Sequence, residues 1–309
     1  MKKTEQDNEI IAKLESEGKF GEHLHPFDTS LSTPVTEDFP YIPKGWKKVV
    51  YWFKTLGVIN PFTWYINHKV THTKVYGREN LKGVKSGVVT CNHVFIFDCL
   101  VVRGSLKHKM RMIGHELNNR NDLLGERMRV GGMIPLSSKL SVMRKFNSAV
   151  EYYLKHNHYI LFYPEQAMWN FYEKPRPLAD GAFFYAVKNN VPIIPTFITY
   201  RPSKKGADEF DFDYNILAPI YPDAKLSAKE NVEMMKQANF NAWKDLYEKT
   251  YNKKLSYDIK TTKTVKAKQP AKKVAGKVAP KAKSKEVNKS VTANKIKKTI
   301  KAKTEIKTK

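Results

Sequence analysis

Ser86-Gly87-Val88-Val89-Thr90-Cys91, followed by Asn92-His93-Val94-Phe95-Ile96-Phe97-Asp98 and then Cys99-Leu100-Val101-Val102, is the stretch that decides the fold. Its first six residues are mostly apolar and rich in β-branched side chains, the pattern of a short buried strand, and its last four read as the start of an apolar helix. A strand that passes through a short loop into a helix is half of a parallel α/β layer, and such sheets carry their ligand crevices outside the C-terminal ends of the strands. His93 and Asp98 fall in that loop, so a neutral-pH base and a carboxylate meet where such a crevice is expected.

The spacing by itself says little. With 9 His and 12 Asp among 309 residues, chance supplies about 0.35 matches to His-x-x-x-x-Asp. A second match does occur at His23 and Asp28, in a polar segment interrupted by Pro26 with no apolar strand before it, and it reads as coincidence. Without its context His93 would be a core histidine satisfied by backbone, and Asp98 an N-cap for the following helix.

The same alternation continues outward. Residues 71–76, 87–91, 110–114, 133–136, 159–163, 193–200 and 210–216 read as strands. Helices fit between several of them: at 141–155, where Val142, Phe146, Ala149, Val150 and Tyr153 recur at three-and-four spacing, and at 182–189. A last one follows the capping box Ser227-Ala228-Lys229-Glu230. This predicts an α/β fold with a mixed, largely parallel central sheet flanked by helices.

Four regions are expected. Residues 1–45 form a charged extension with a short helix near Ile10, Ile11 and Leu14 and a proline-rich loop. Residues 46–69 hold three of the five tryptophans among lysines, the composition of amphipathic interfacial helices, and Asn60-Pro61 suggests a helical hairpin. That segment is equally readable as a hairpin packed on the domain. Residues 70–255 form the α/β domain, and 256–309 a Lys-rich tail. From Thr261 to the end there are 17 Lys and 2 Glu, a net of +15 out of the chain's +25. A segment so charged and so poor in apolar side chains is expected to be disordered.

The first residues carry no apolar signal core, and the longest unbroken apolar run is Ala182 to Val187, short of the roughly 20 residues needed to span a bilayer. Cys91 and Cys99, the two cysteines, suggest a reducing compartment and no disulfide framework. Metal-ligand spacings are missing, so no metal is expected.

Three further segments add to Asn92-His93-x-x-x-x-Asp98. They are Gly132-Met133-Ile134-Pro135-Leu136-Ser137-Ser138, Leu161-Phe162-Tyr163-Pro164-Glu165, and Val191-Pro192-Ile193-Ile194-Pro195. In this order they resemble the glycerolipid acyltransferase family that includes lysophosphatidic acid acyltransferase, with its blocks Asn-His-x-x-x-x-Asp, Gly-x-x-Phe-Ile-x-Arg, Phe-Pro-Glu-Gly-Thr-Arg and Val-Pro-Ile-x-Pro. The likeness spans roughly residues 70–220. It implies transfer of an acyl group from a thioester of coenzyme A or acyl carrier protein to a lysophospholipid hydroxyl, with no other cofactor. His93 would be the general base, Asp98 its orienting carboxylate, and Asn92 and Glu165 would help to form the acceptor site.

Departures accompany the matches. Gln166, Ala167 and Met168 stand where the family has Gly, Thr and Arg, and Ser138 falls on the other motif arginine, with Lys139 beside it. The resemblance assigns those arginines to the acceptor's phosphate. Lys139, Arg144, Lys174 and Arg176 are the nearby replacements, each otherwise an ordinary surface charge. Expected partners are a membrane lipid surface, contacted peripherally from the cytoplasmic face, and anionic lipid or nucleic acid through the tail. The alternative is a non-catalytic polyanion-binding protein on an acyltransferase-like fold.

Overall fold

The computed structural model describes residues 4–26, 29–204, 206 and 209–259. The Lys-rich stretch beyond residue 259, together with its expected disorder, lies outside the described residues, as does Asp28.

Seven strands form one sheet: β1 (Lys74–Tyr76), β2 (Gly87–Thr90), β3 (Met110–Gly114), β4 (Met133–Pro135), β5 (Tyr159–Phe162), β6 (Ile193–Pro202) and β7 (Phe210–Ile216). Their order is β1-β7-β6-β2-β5-β3-β4. Every neighbouring pair is parallel except β6 and β7, which are joined by a short connection and pair antiparallel. The sheet is thus mixed and mostly parallel, with β2 at its centre.

Among the described residues eight α-helices accompany it: α1 (Glu5–Ser16), α2 (Gly45–Lys54), α3 (Asn60–Tyr65), α4 (Asp98–Leu106), α5 (Leu123–Val130), α6 (Leu140–Lys155), α7 (Gly181–Lys188) and α8 (Ala228–Tyr251). Strand alternation sorts the core into two layers. Val89, Leu161 and Ile194 point into one, with Val101 and Val102 of α4. Val88, Ile160 and Ile193 point into the other, with Phe146 and Val150 of α6, Phe183 of α7 and Met235 of α8. Each such side chain, fully buried, contributes about 1.5–3 kcal/mol. The capping box before α8 forms as the sequence suggests, Ser227 and Glu230 satisfying each other's backbone amides.

Two features differ from the expectation. Residues 45–70 do not turn back at Asn60-Pro61; α2 and α3 continue through π-helical stretches at Thr55–Ile59 and Ile66–Val70, with right-handed helical backbone at every junction. Pro61 offers no N–H and crowds the preceding turn, and the wider π turn just before it accommodates both defects without a bend back. Helix α5 is the second: its exposed Leu123 and Leu124 and its charged Glu126, Arg127 and Arg129 give no apolar stripe to read.

The N-terminal extension is packed against the domain. Ile11, Leu14, Phe20 and Leu24 form a small core with Ala167, Trp169 and Tyr172, just downstream of Glu165. Tyr257, at the start of the expected tail, joins it by packing on Phe20 and donating to Pro175 O at 2.6 Å.

Candidate active site

The loop after β2 turns at Asn92. Its amide is buried and exchanges two hydrogen bonds with Ile198 on β6, Asn92 Oδ1 accepting at 2.8 Å and Nδ2 donating at 3.0 Å. It therefore fixes where the loop leaves the sheet and has no face toward a substrate.

His93 and Asp98 come together. Nδ1 of the imidazole lies 2.7 Å from Asp98 Oδ2, with the histidine side chain 24% exposed and the aspartate 1%. Asp98 begins α4, whose capping position is Phe97, so its carboxylate does not cap the helix. It reaches back instead, Oδ2 accepting from the Val94 and Phe95 backbone N–H groups at 3.1 and 3.4 Å. Oδ1 accepts the Tyr163 hydroxyl at 2.5 Å. Nε2 of His93 remains the nitrogen that can exchange a proton with a bound molecule.

Glu165 is buried and supports the loop from below. Oε2 accepts the His93 backbone N–H at 3.1 Å and Arg176 Nη2 at 2.7 Å, while Oε1 accepts the Arg176 backbone N–H at 2.9 Å. Arg176 is no surface charge: its side chain is 1% exposed. Besides Glu165 it donates to Phe20 O, Ala167 O and His93 O, and its guanidinium lies 4.7 Å from the Trp169 ring. Buried and bonded in this way, Arg176 does not stand as a surface charge ready to meet an acceptor's phosphate. Lys174 is also engaged, its Nζ 2.6 Å from Glu15 of α1.

The remaining candidates lie at the start of α6. Ser138 donates its backbone N–H to Glu116 Oε2 at 2.9 Å, so a carboxylate rests beside the position where the resemblance has an arginine. Glu116 stays below the usual carboxylate range because the hydrogen bonds from Ser138, Val35 and Ser137 outweigh its burial. Lys139 is exposed at the N-cap of α6.

Gln166, in place of the family's glycine, has φ +70°, the left-handed region that glycine enters freely and other residues at a cost of about 1–2 kcal/mol. The backbone thus keeps the conformation a glycine would give. Around the dyad, burial and the Asp98 charge push the Cys99 thiol up to about 12 and raise Cys91 and Tyr163 in the same sense, so these groups stay protonated. Among the described residues no group of three or more His, Cys, Asp or Glu could hold a metal ion.

His93, at the C-terminal end of a central parallel strand, is braced by one buried carboxylate through its ring and by another through its backbone, an arrangement that can support acid–base chemistry. Residues 72–199 match the family model described as Acyltransferase. The matched segment holds all four sequence blocks and is similar to acyltransferase domains. The solved structure of the 1-acyl-sn-glycerophosphate (LPA) acyltransferase PlsC from Thermotoga maritima is similar at 17% sequence identity, with a TM-score of 0.45, covering 65% of this chain and 88% of that one. No curated protein matches the chain.

Tyr163 is the site residue the sequence reading passed over. Its signal was the hydroxyl itself, since the corresponding block has phenylalanine.

Proposed function

We propose that the domain transfers a fatty acyl group from an acyl thioester, of coenzyme A or of acyl carrier protein, to the hydroxyl of a lysophospholipid or related acceptor at a membrane surface. The observation that carries this reading is the 2.7 Å contact between His93 Nδ1 and Asp98 Oδ2, which directs Nε2 to act as the base. Nε2 takes the acceptor's hydroxyl proton as its oxygen attacks the thioester carbonyl. The tetrahedral adduct expels the thiolate, which recovers that proton from the imidazolium. Asp98 holds the ring in the right tautomer and favours the charge while it lasts. Neither Cys91 nor Cys99 is suited to form an acyl-enzyme, because both thiols are held neutral.

Residues 45–70 support the membrane part of the reading. Trp46, Trp52, Phe53, Leu56, Phe62, Trp64 and Tyr65 are exposed along this helical rod, with Lys47, Lys48, Lys54 and Lys69 among them. The apolar surface reaches the active-site loop, since Phe62 packs on Phe97 at 5.5 Å and Ile96 is 65% exposed. Aromatic and lysine side chains exposed together along one helical segment suit the headgroup region of a bilayer. No helix among the described residues is long and apolar enough to cross a membrane; the contact proposed here is peripheral, at the cytoplasmic face. The 17 lysines after residue 260 would add attraction to anionic lipid or nucleic acid.

The test is acyl transfer by the purified full chain to lysolipids presented in vesicles, with coenzyme A and carrier-protein thioesters as donors. His93→Ala should lose about 10²- to 10⁴-fold in rate. Equal rates for the two proteins would remove His93 from the chemistry, and failure of the native chain on lysophospholipids, monoacylglycerols and amine-bearing lysolipids alike would remove the acceptor class.

A further inference from the structure

Tyr163 stands where the resembling block has phenylalanine, so the two side chains differ by one oxygen. That hydroxyl donates a hydrogen bond to Asp98 Oδ1 at 2.5 Å. The ring below it lies on the His93 imidazole, centroids 4.0 Å apart and planes 17° from parallel. One side chain therefore touches both members of the dyad. Two residues on, Glu165 holds the His93 backbone N–H. Pro164 between them has its φ fixed by its ring, so a single tripeptide at the exit of β5 fixes the carboxylate, the plane of the base and its backbone.

We propose that Tyr163 is a positioning residue for the dyad, its hydroxyl setting the orientation and charge of the Asp98 carboxylate and its ring setting the plane of the imidazole. This rests on His93 being the base of the reaction proposed above. Asp98 Oδ2 already accepts three hydrogen bonds, from His93 Nδ1 and the backbone N–H groups of Val94 and Phe95, and the tyrosine satisfies the other oxygen. With both oxygens occupied the carboxylate cannot swivel. The second donor also draws negative charge away from Oδ2, so the imidazolium formed during attack is held less tightly and returns its proton to the leaving thiolate more readily.

The hydroxyl proton stays on the tyrosine. Burial and the adjoining negative carboxylate both oppose its loss. Among the described residues Cys91, Cys99, Tyr200 and Tyr214 also feel the Asp98 charge and burial keeps all four neutral, while burial and the nearby positive charges, that of His93 among them, lower His23. The Glu165 charge is matched by Arg176. Within the working pH range the tyrosine's contact is therefore a fixed donor and not a second titrating site.

Tyr163→Phe removes the oxygen and keeps the ring. We expect kcat to fall about tenfold with acceptor KM within about twofold, and the acid limb of the kcat/KM profile to move up by about half a pH unit, because a freer carboxylate favours the imidazolium. In proton NMR of the full chain, the low-field Nδ1–H resonance of His93, identified by its absence from His93→Gln, should shift in Tyr163→Phe. Tyr163→Leu, which also removes the ring, should lose more rate than Tyr163→Phe. A Tyr163→Phe protein with the native acid limb and the native resonance overturns the proposal, even if its rate is lower, since a purely structural role would produce that pattern. Equal rates for the Phe and Leu variants overturn the part assigned to the ring. Were the native chain to transfer no acyl group, the proposed reaction would fall, while the resonance would still decide whether Tyr163 holds the dyad.

Discussion

The active-site loop and the helical rod at 45–70 meet at Phe62 and Phe97, yet they are built on opposite terms. In the loop, polar groups are buried and bonded: Asp98 is engaged at both oxygens, Glu165 at both oxygens, and Arg176 to three backbone carbonyls as well as to Glu165. On the rod, α2 buries none of its residues and Trp46, Trp52 and Phe53 are each at least 60% exposed. A buried polar group without a partner costs about 1–3 kcal/mol, so the loop has a single arrangement that satisfies it. The rod's exposed aromatics have no such constraint in water and acquire one only against another apolar medium. Geometry is held in the first region, and apolar surface is presented by the second.

The contrast can be broken at its strongest point with Asp98→Asn. The amide can present its NH2 to the imidazole and fix the wrong tautomer, so we expect a fall of about 10²- to 10⁴-fold in acyl transfer. Vesicle binding should not change. A variant with most of its activity retained would separate the carboxylate from the chemistry.

Arg176→Leu tests whether the loop depends on its buried partners. It leaves the Glu165 carboxylate uncompensated in the interior, which should lower unfolding free energy by about 3–5 kcal/mol in a denaturant titration. A loss below about 1 kcal/mol would mean that the site opens to water more readily than its burial implies.

On the rod the signs reverse. Trp52→Ser with Phe53→Ser should leave thermal stability within about 0.5 kcal/mol, because both side chains are largely exposed and their ring contact is with each other, and weaken flotation with vesicles by roughly ten- to a hundredfold. Unchanged flotation would show that the exposed face meets something other than lipid.

The smallest effect concerns pH. Burial, aided by the nearby Arg111 charge, lowers His158 to about 4. An unfolded histidine titrates near 6.5, so below that value the unfolded state binds the proton first. This contribution to stability is complete above about pH 6.5 and shrinks as pH falls toward 4. His158→Gln should therefore narrow the gap between melting temperatures at pH 7 and pH 5, and an unaltered gap would assign the acid sensitivity elsewhere.

The strands of the sheet were legible because they are short apolar runs whose period is local. β3 and β7 begin and end where the pattern put them, and β2 and β5 end one residue early. The closeness of His93 and Asp98 was legible for the same reason, since a five-residue loop leaves little freedom. What did not show was anything set by distant contact. Arg176 looks like a surface charge in Lys174-Pro175-Arg176-Pro177 and is buried among Glu165, Trp169 and the Phe20 carbonyl, the last from far up the chain. The continuous rod was hidden by Pro61, whose usual meaning is a break, and the π turn that absorbs it leaves no mark in composition.

Gly104 gives the meeting of these two regions a mechanical side. A Cβ at that position would lie 2.5 Å from Asn67 Nδ2, and the Asn67 amide bonds both Thr63 O on the rod and Leu100 O on α4. The rod and the helix that begins at Asp98 are thus joined without a spacer, like two beams bolted flush. The distance of the imidazole from the rod's exposed face is then a fixed dimension of the protein, and in the reaction proposed above an acceptor lying against that face must rise by that distance to bring its hydroxyl within reach.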